Sequence, residues 1–506
     1  MMAWPLMCSH VCKLMLKPST HLKLDPRHAA FAFQFQAVEA VKALPYAALF
    51  HEQGLGKTKI GIDLALEWIR ADAVDSVLVV TKRGLIANWS DEVKEHTHLT
   101  ARVLDQNRNS NFFALNSPAR IYLTHYEAVK SEERRIALFL KTRRVAAILD
   151  EAHKIKNPES ELAKAFHRLS PGFARRIIMT GTPVANRPFD LWSQIYFLDS
   201  GAALGQDFDQ FRRKLDLSND LWADEDKRQQ FEAELAALFS KIKPFAVRET
   251  KGSSGIELPE KLVENIMVEP ETCQMELYER FRTEMRSEVL RDGYLVEDNA
   301  EDMLKRLLRL VQVASNPRLV DDAYDGVPGK FPQLRSLVEG AVAAGSKIVV
   351  WTSFVGNAEW LYSELSEFGA LRVHGGIPLT DRNAAIAAFK RDTGRKVLVA
   401  TPGAAKEGLT LTVANQAVFY DRSFSLDDYL QAQDRIHRIS QTQTCYVWNL
   451  LCSGTVDEWV DSLLAAKRLA AQLAQADINV DEYARRANYD FGHIVKQILG
   501  LEQACS

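Results

Sequence analysis

Cysteine is scarce in this chain, with six residues among 506, and none of them forms a paired spacing. Domains that depend on disulfides are rich in cysteine, so this count excludes a disulfide framework and predicts a reducing compartment. Cys8, His10 and Cys12 lie close together, but no second pair of ligands follows at the spacing of a zinc finger. The sequence therefore does not predict a zinc site.

Long apolar runs are missing as well. No stretch approaches the ~20 residues that cross a bilayer. The opening segment, residues 1–16, is mildly apolar, but His10 and Lys13 interrupt it and no small-residue cleavage site follows. The sequence predicts neither a membrane span nor a signal peptide, and we expect a cytoplasmic protein.

An excess of charge of one sign is also absent. Lysine and arginine number 63 against 66 aspartates and glutamates, which gives a net charge of −3. This balance argues against a protein that coats nucleic acid through a broadly basic surface. The balance is compatible with an enzyme that binds the phosphate backbone of nucleic acid in a local groove and releases it in each catalytic cycle.

What the chain does contain is a repeated alternation of apolar strands and amphipathic helices. The predicted strands of the first half are 47–50, 77–81, 121–124, 145–149 and 176–179, and those of the second are 347–352, 396–401, 417–421 and 446–450. Residues from about 200 to 320 have charged amphipathic patterns that predict helices without intervening strands. Together these patterns predict an α/β protein whose two lobes, each built on a parallel sheet, are joined by a helical insert.

One predicted strand ends in two adjacent carboxylates. Residues 145–149 are all apolar, which suits a strand buried on both faces of a parallel sheet, and Asp150 and Glu151 follow at once. Open α/β sheets bind ligands at the carboxyl ends of their strands, where this pair would lie. Asp150 would hold a magnesium ion, and Glu151 would polarise an attacking water. A core strand followed by a charged turn also explains the acids, but not the phosphate-binding pattern upstream.

That upstream pattern is His-Glu-Gln-Gly-Leu-Gly-Lys-Thr at residues 51–58, between a predicted strand and a predicted helix. Lys57 would neutralise the β- and γ-phosphates, and the Thr58 hydroxyl would be a second magnesium ligand. The strict pattern has glycine where His51 stands, a position that helicase-type ATPases relax. We predict ATP and magnesium as cofactors, with the phosphates bound by Gly54, Leu55, Gly56, Lys57 and Thr58.

Several long motifs, in order, resemble the Swi/Snf-type ATPases of helicase superfamily two over residues 35–467. The acid pair continues as Ala-His-Lys-Ile-Lys-Asn, and this extension is typical of that family. The other matching segments are Phe35-Gln36, Asn88-Trp89, Thr124–Glu127, Thr180–Pro183 with Asn186, Lys243–Phe245 with Arg248 and Lys251, Leu307–Pro317 and Gln431–Gln441.

The resemblance implies roles for further residues. Gln36 would read the adenine, and Arg435 and Arg438 would join Lys57, Asp150 and Glu151 in catalysis. The two arginines are three residues apart, which predicts one face of a helix, and guanidiniums suit the charge that develops on a γ-phosphate. The residues implied to couple ATP hydrolysis to movement are Thr180, Gly181, Thr182, Gly408 and Gln431.

One segment departs from the family pattern. Ala405 and Lys406 stand where a glycine pair is usual and Thr410 stands where asparagine is usual, while Gly408 and Leu411 remain. We expect the bulkier residues to change how the second lobe follows nucleic acid or couples it to ATP. Lys406 would either contact a phosphate or be solvated, and the sequence leaves both open.

The resemblance implies a motor that hydrolyses ATP, moves on duplex DNA and remodels or displaces DNA-bound proteins, so its predicted partners are duplex DNA and a DNA-bound protein. Its compact size favours a monomer in a bacterial or phage-infected cell. Two alternatives stay open: a helicase that separates or anneals strands in repair or recombination, and a non-hydrolysing ATP-gated clamp. Contacts to the DNA backbone are predicted at Lys82, Arg83, Thr124, His374, Gly375 and Thr401, each of which could equally be an ordinary loop residue.

The same resemblance implies a division of the chain into two RecA-like lobes. The predicted parts are an N-terminal segment (1–25), the ATP-binding lobe one (26–245) with a helical insertion at about 200–245, a helical linker (246–330), lobe two (331–475) and a C-terminal helical tail (476–506).

Overall fold

The structure, a computed structural model, describes residues 23–104, 107–184, 187–215, 225–291, 294–295, 300–405, 410–475 and 477–486. The chain divides into two compact units, each with its own large sheet. Within the described ranges, the first unit takes in residues up to 215, 230–256 and 473–477, and the second takes in 225–229, 257–472 and 478–486. No helix among the described residues combines the length and the apolar character needed to cross a membrane.

The sheet of the first unit has seven parallel strands. They are β1 (Tyr46–Leu49), β2 (Ser76–Thr81), β3 (Ala101–Leu104), β4 (Ile121–His125), β5 (Val145–Asp150), β6 (Arg175–Met179) and β7 (Ala246–Val247). Their order is β3-β4-β2-β5-β6-β1-β7. All residues of β2, β4 and β5 are buried, as expected for parallel strands covered on both faces.

The helices of the first unit pack an apolar core against this sheet. They are Ala32–Val41, Lys57–Arg70, Ile86–His96, Arg108–Leu115, Tyr126–Ser131, Glu133–Thr142, Glu161–Leu169, Trp192–Asp199, Phe208–Lys214 and Glu225–Ile242, the last of which begins in the second unit. Trp68 and Trp89 join Ile148 and Met179 in one buried cluster. The register pairs Leu149 with both Val80 and Ile178, so the carboxyl ends of β2, β5 and β6 lie side by side.

The sheet of the second unit has six parallel strands, which are β8 (Lys261–Val268), β11 (Ile348–Trp351), β12 (Leu371–Val373), β13 (Val397–Ala400), β14 (Gln416–Phe419) and β15 (Cys445–Cys452). Their order is β12-β13-β11-β14-β15-β8. Strands β9 (Leu290–Arg291) and β10 (Tyr294–Leu295) form a separate hairpin. The helices are Thr272–Val289, Ala300–Ser315, Lys330–Ala343, Val355–Glu364, Leu379–Arg391, Pro402–Ala405, Leu426–Gln433, Val456–Ala474 and Val480–Arg486.

The predicted α/β class with two parallel sheets is confirmed, but the expectation of helices alone between residues 200 and 320 is wrong. β8 lies in that region and pairs with β15 along its whole length, from Lys261 opposite Cys445 to Val268 opposite Cys452. β8 is an edge strand with several exposed residues, so it lacks the apolar run that marks an interior strand.

Candidate ATP site

The phosphate-loop pattern adopts the backbone that its glycines allow. Gly54 and Gly56 have φ angles of 86° and 71°, in the left-handed region that favours glycine. The helix Lys57–Arg70 begins directly after Gly56. Lys57 Nζ donates to the carbonyl oxygens of His51 at 2.9 Å and Glu52 at 3.3 Å, which holds the ammonium over the loop. The loop therefore has the geometry of a phosphate cradle at a helix N-terminus.

His51 occupies the position where the strict pattern has glycine. His51 does not have a positive φ angle, unlike three other non-glycine residues of the described chain, so the backbone at this position does not require glycine. The side chain is fully buried, and burial together with the charge on Lys57 lowers the pKa of His51 to about 4. The imidazole is therefore neutral at neutral pH and adds no charge beside the loop.

Two nearby glutamines have different surroundings. The predicted adenine reader, Gln36, lies on the exposed side of the helix Ala32–Val41. Gln34 is buried, accepts a hydrogen bond from the Phe31 backbone at 3.0 Å and donates from Nε2 to the Leu55 carbonyl at 3.1 Å. A Cβ on Gly56 would lie 2.5 Å from that Nε2. Gln34, which we did not single out from the sequence, is thus the glutamine that packs on the phosphate loop.

Asp150 ends β5 in a buried and firmly held position. Its Oδ2 accepts hydrogen bonds from Trp89 Nε1 at 2.8 Å and Thr81 Oγ1 at 3.2 Å, and Tyr126 donates its hydroxyl to the Asp150 carbonyl oxygen at 2.8 Å. Burial and the neighbouring charge of Glu151 raise the pKa of Asp150, against those hydrogen bonds and the charge on Lys57. Both side-chain bonds end on Oδ2, which leaves Oδ1 available to a cation.

Glu151 follows in a strained backbone conformation, with φ at 55° and ψ at 50°. Such values are uncommon for a non-glycine residue and occur often at functional sites. Its Oε2 lies 3.3 Å from His153 Nδ1. Burial alone would raise the pKa of Glu151, but the charges of Lys82, His153 and Lys57 hold it well below its usual value. Glu151 is therefore a carboxylate at neutral pH.

The predicted coupling segment lies against the phosphate loop. Thr180 is fully buried and donates its backbone N–H to the Leu49 carbonyl at 3.2 Å. A Cβ on Gly181 would lie 2.4 Å from Gln53 Cγ and 3.1 Å from Lys57 Nζ, so only glycine allows this approach. The Thr182 N–H bonds back to Thr180 Oγ1 at 3.3 Å. Asn186, which belongs to the same motif, lies outside the described residues.

The segment after β7 also contacts the loop. The Lys251 backbone N–H donates to Glu52 Oε2 at 2.8 Å. The Glu52 backbone N–H donates to the Glu249 carbonyl oxygen at 2.8 Å. Arg248 donates to the Phe50 carbonyl at 3.1 Å and forms an ion pair with Asp477. Sequence similarity placed Arg248 and Lys251 in a family motif without indicating that they support the phosphate loop.

In the second unit, the two predicted catalytic arginines lie beyond a helix. The helix Leu426–Gln433 ends before them, so the expectation of one helical face is wrong: Arg435 lies in a turn and Arg438 in the bend that follows it. Arg435 is buried and its carbonyl accepts from the Leu411 N–H at 2.8 Å. Arg438 donates to the Asp434 carbonyl at 3.0 Å and to Thr410 Oγ1 at 2.9 Å.

Two other residues of the second-unit motif have defined partners. Gln431 is buried and donates Nε2 to the Asp427 carboxylate at 2.9 Å and 3.0 Å. His437 Nε2 lies 2.8 Å from the Pro259 carbonyl, just before β8. Lys406 and Gly408 lie outside the described residues, as does the side chain of Ala405. Thr410, which stands where the family usually has asparagine, lies within the described residues, and its hydroxyl accepts a hydrogen bond from Arg438.

The residues predicted to contact DNA differ in exposure. Arg83, two residues after β2, and Gly375, two residues after β12, are exposed. Lys82, Thr124, His374 and Thr401 are buried. Thr124 donates its hydroxyl to the Leu104 carbonyl at 3.1 Å, and His374 Nε2 lies 2.6 Å from Glu359 Oε1. All six stay predictions as DNA contacts, and Lys82 directly follows Thr81, which bonds to Asp150.

Thr58 and Asp150 fit the part that a protein usually contributes to an ATP-bound magnesium ion. Thr58 is the second residue of the helix Lys57–Arg70, and Asp150 retains an oxygen outside its hydrogen bonds. The described residues contain no cluster of three or more histidine, cysteine or acidic side chains that would bind a metal alone. Magnesium bound with ATP needs no such cluster, because phosphate oxygens and waters complete its shell.

Comparison with known proteins places these residues in a family. The SNF2-related domain matches residues 43–319, and the helicase conserved C-terminal domain matches residues 329–440. An uncharacterised ATP-dependent helicase of Mycoplasma pneumoniae is 26% identical over 86% of this chain and 41% of its own length. The RAD54-like DNA repair and recombination protein of mouse is 24% identical over 90% of this chain and 65% of its own.

Two more similarities extend this comparison. The ATP-dependent DNA helicase DDM1 of Arabidopsis thaliana is 24% identical over 81% of this chain and 56% of its own length. A solved SWI2/SNF2 ATPase core of Sulfolobus solfataricus with double-stranded DNA is 24% identical, covers 95% of this chain and 99% of that one, and has a TM-score of 0.41. This chain thus spans less than half of the Mycoplasma relative. Because the first domain match covers more than half of the chain, the protein belongs to the SNF2-related family.

Proposed function

We propose that this protein is an ATP-hydrolysing motor that duplex DNA stimulates and that moves along DNA to remodel or displace bound proteins. ATP hydrolysis is the enzyme class of its family, several of whose members are named as ATP-dependent helicases. The observation that carries the proposal is that the phosphate loop, the acid pair and the coupling segment all lie at the carboxyl ends of neighbouring strands in the first sheet.

The chemistry of hydrolysis follows from the positions of these side chains. Lys57 would bind the β- and γ-phosphates, and Glu151, ionised beside Lys82 and His153, would orient the water that attacks the γ-phosphate. A magnesium ion held by Thr58 and Asp150 would add positive charge near the phosphate oxygens. Arg435 and Arg438 would supply guanidinium charge from the second unit, which would make hydrolysis depend on the arrangement of the two units.

DNA stimulation is tested by measuring ATP turnover with duplex DNA, single-stranded DNA and RNA side by side. We expect duplex DNA to raise kcat most, and longer duplexes to raise it more than short ones. Unchanged turnover at every duplex length would contradict a translocating motor. Removal of a protein roadblock, such as streptavidin on a biotinylated duplex, should require hydrolysable ATP.

A strand-separating helicase remains the alternative. A forked duplex with a fluorescent strand distinguishes it, because a duplex translocase moves without releasing that strand. Strand release at a rate comparable to ATP turnover would favour the alternative. The Lys-Ile-Lys-Asn extension of residues 154–157 favours the duplex motor, since it belongs to the Swi/Snf-type pattern.

Gln34, not Gln36, should be the glutamine on which nucleotide binding depends. Gln34→Ala removes two hydrogen bonds and opens a gap against Gly56, whereas Gln36→Ala changes an exposed side chain. We expect Gln34→Ala to weaken ATP binding by about tenfold, from the loss of roughly 1–2 kcal/mol of hydrogen bonding. Titration with a fluorescent ATP analogue measures both variants. A larger loss with Gln36→Ala would support the adenine role predicted for Gln36.

A further inference from the structure

Lys82 lies where β2 leaves the sheet, at the same end as the acid pair that follows β5. The last pair in the register of β2 on β5 is Val80 with Leu149, two residues before Lys82 on one strand and two before Glu151 on the other. The bond from Thr81 Oγ1 to Asp150 Oδ2 shows that this alignment continues past the last paired residues. Lys82 therefore follows the strand that neighbours the strand of the acid pair, at the end where both strands stop, although the family resemblance implied a DNA contact.

Burial of this lysine is unusual for its residue type. Lys82 is 8% exposed, and its Nζ is inaccessible and has no hydrogen-bond partner among the described residues. Lysine side chains are flexible and normally extend until the ammonium reaches water. The next residue, Arg83, is exposed, so solvent is close to this part of the chain. A buried ammonium without hydrogen bonds is costly unless a counter-charge lies near it.

Glu151 is the counter-charge that fits. Glu151 directly follows Asp150, and Lys82 directly follows Thr81, whose hydroxyl bonds to Asp150. Glu151 has a left-handed backbone that few residues adopt, and its side chain is 15% exposed. A carboxylate on such a backbone needs neighbours that define its direction. His153 Nδ1 lies 3.3 Å from Glu151 Oε2, and Lys82 is the lysine at the end of the adjacent strand.

We propose that Lys82 is a positioning residue of the ATP site, whose buried ammonium holds the Glu151 carboxylate where it orients the attacking water. This inference rests on the proposed hydrolysis of ATP but not on its stimulation by DNA. It assigns Lys82 to catalysis and leaves the exposed Arg83 as the predicted DNA contact at the end of β2.

The test compares Lys82→Met, which keeps length and removes charge, with Lys82→Arg, which keeps charge. Lys94→Met is the matched control, since Lys94 lies on the helix Ile86–His96 with its side chain 62% exposed. For each variant we would measure kcat and KM for ATP without DNA and with saturating duplex, ATP affinity, duplex affinity and the melting temperature.

We expect Lys82→Met to lower kcat about 10- to 100-fold, the usual loss when a group that orients a reacting side chain is removed. The loss should be equal with and without DNA, while ATP affinity and duplex affinity stay within about threefold. Lys82→Arg should recover part of kcat, and Lys94→Met should match the wild type.

Two results would overturn the assignment. Weaker duplex binding with normal kcat at saturating DNA would identify Lys82 as a DNA contact. Normal kcat in a folded Lys82→Met variant would show that its charge does not position Glu151. If Lys82→Met does not fold, the same measurements are made on Lys82→Gln. For Lys82→Arg, a change in kcat with unchanged KM for ATP supports the positioning role, and unchanged kcat with weaker duplex binding contradicts it. Wild-type protein that hydrolyses ATP without DNA stimulation would contradict the proposed motor and leave this test intact.

Discussion

Glu151→Gln is expected to lower ATP turnover by about 10²- to 10⁴-fold while ATP binding is retained. The amide keeps the size of the side chain but cannot accept a proton or direct the water as a carboxylate does. In the structure nearby positive charge holds the pKa of Glu151 well below its usual value, whereas burial and the charge of Glu151 raise the pKa of Asp150. Steady-state hydrolysis measures turnover, and a fluorescent ATP analogue measures binding.

The matched control for this variant is Glu161→Gln. Glu161 lies in the same unit at the start of the helix Glu161–Leu169, with its side chain 62% exposed and paired with Lys164. It should hydrolyse ATP at the wild-type rate. If Glu151→Gln turned over ATP within a few fold of the wild type, the role assigned to Glu151 would be wrong. Loss of ATP binding in Glu151→Gln would instead point to disruption of the strained turn.

Arg438→Ala should reduce turnover by about 10³-fold and leave ATP binding nearly unchanged, by analogy with arginine fingers of other phosphate-hydrolysing enzymes. Arg438 is half-buried, and its bonds to Thr410 and the Asp434 carbonyl fix its direction within the second unit. If Arg438 acts on the charge that develops in the transition state, as proposed, binding and turnover should separate. Single-turnover and steady-state hydrolysis measure the effect.

Arg395→Ala provides the comparison for this prediction. Arg395 belongs to the same unit, is 45% exposed and pairs only loosely with Asp392 at 3.7 Å. Arg438→Lys tests geometry, because lysine keeps the charge but lacks the planar fork of the guanidinium. Turnover near the wild-type rate in Arg438→Ala would remove Arg438 from the catalytic set. A thermal melt shows whether loss of the Thr410 bond, and not loss of catalysis, explains a low rate.

The strands that sequence patterns missed share one position in the fold. All nine predicted strands lie in the interiors of the two large sheets, whereas the four missed strands of those sheets lie at their edges: β3, β7, β8 and β12. Interior parallel strands are covered on both faces and so consist of apolar runs. Edge strands retain exposed residues, such as Arg102 and Val103 in β3. Their apolar pattern is therefore too weak to identify them before the pairing is known.

The candidate site shows the same limit at the level of single residues. Gln34 and Gln36 are two positions apart, so they point to different sides of a helix, and only packing against Leu55 selects Gln34. Trp89 belonged to a recognised motif, but its bond to Asp150 spans 61 residues of chain. The helix predicted through Arg435 and Arg438 ends at Gln433 because the following residues turn back, where Arg435 bonds to Leu411.

The sequence by itself determined the chemistry of this protein: a glycine-rich loop with lysine and threonine, an acid pair after a buried strand, and ordered motifs that specify the family. These depend on local patterns, since strand burial and turn chemistry are recorded in neighbouring residues. The tertiary structure alone decided which side chains support that chemistry. Lys82 stays a predicted DNA contact, and only the fold shows that it follows the strand next to the acid pair, because β2 lies beside β5 and no local pattern specifies which strands become neighbours.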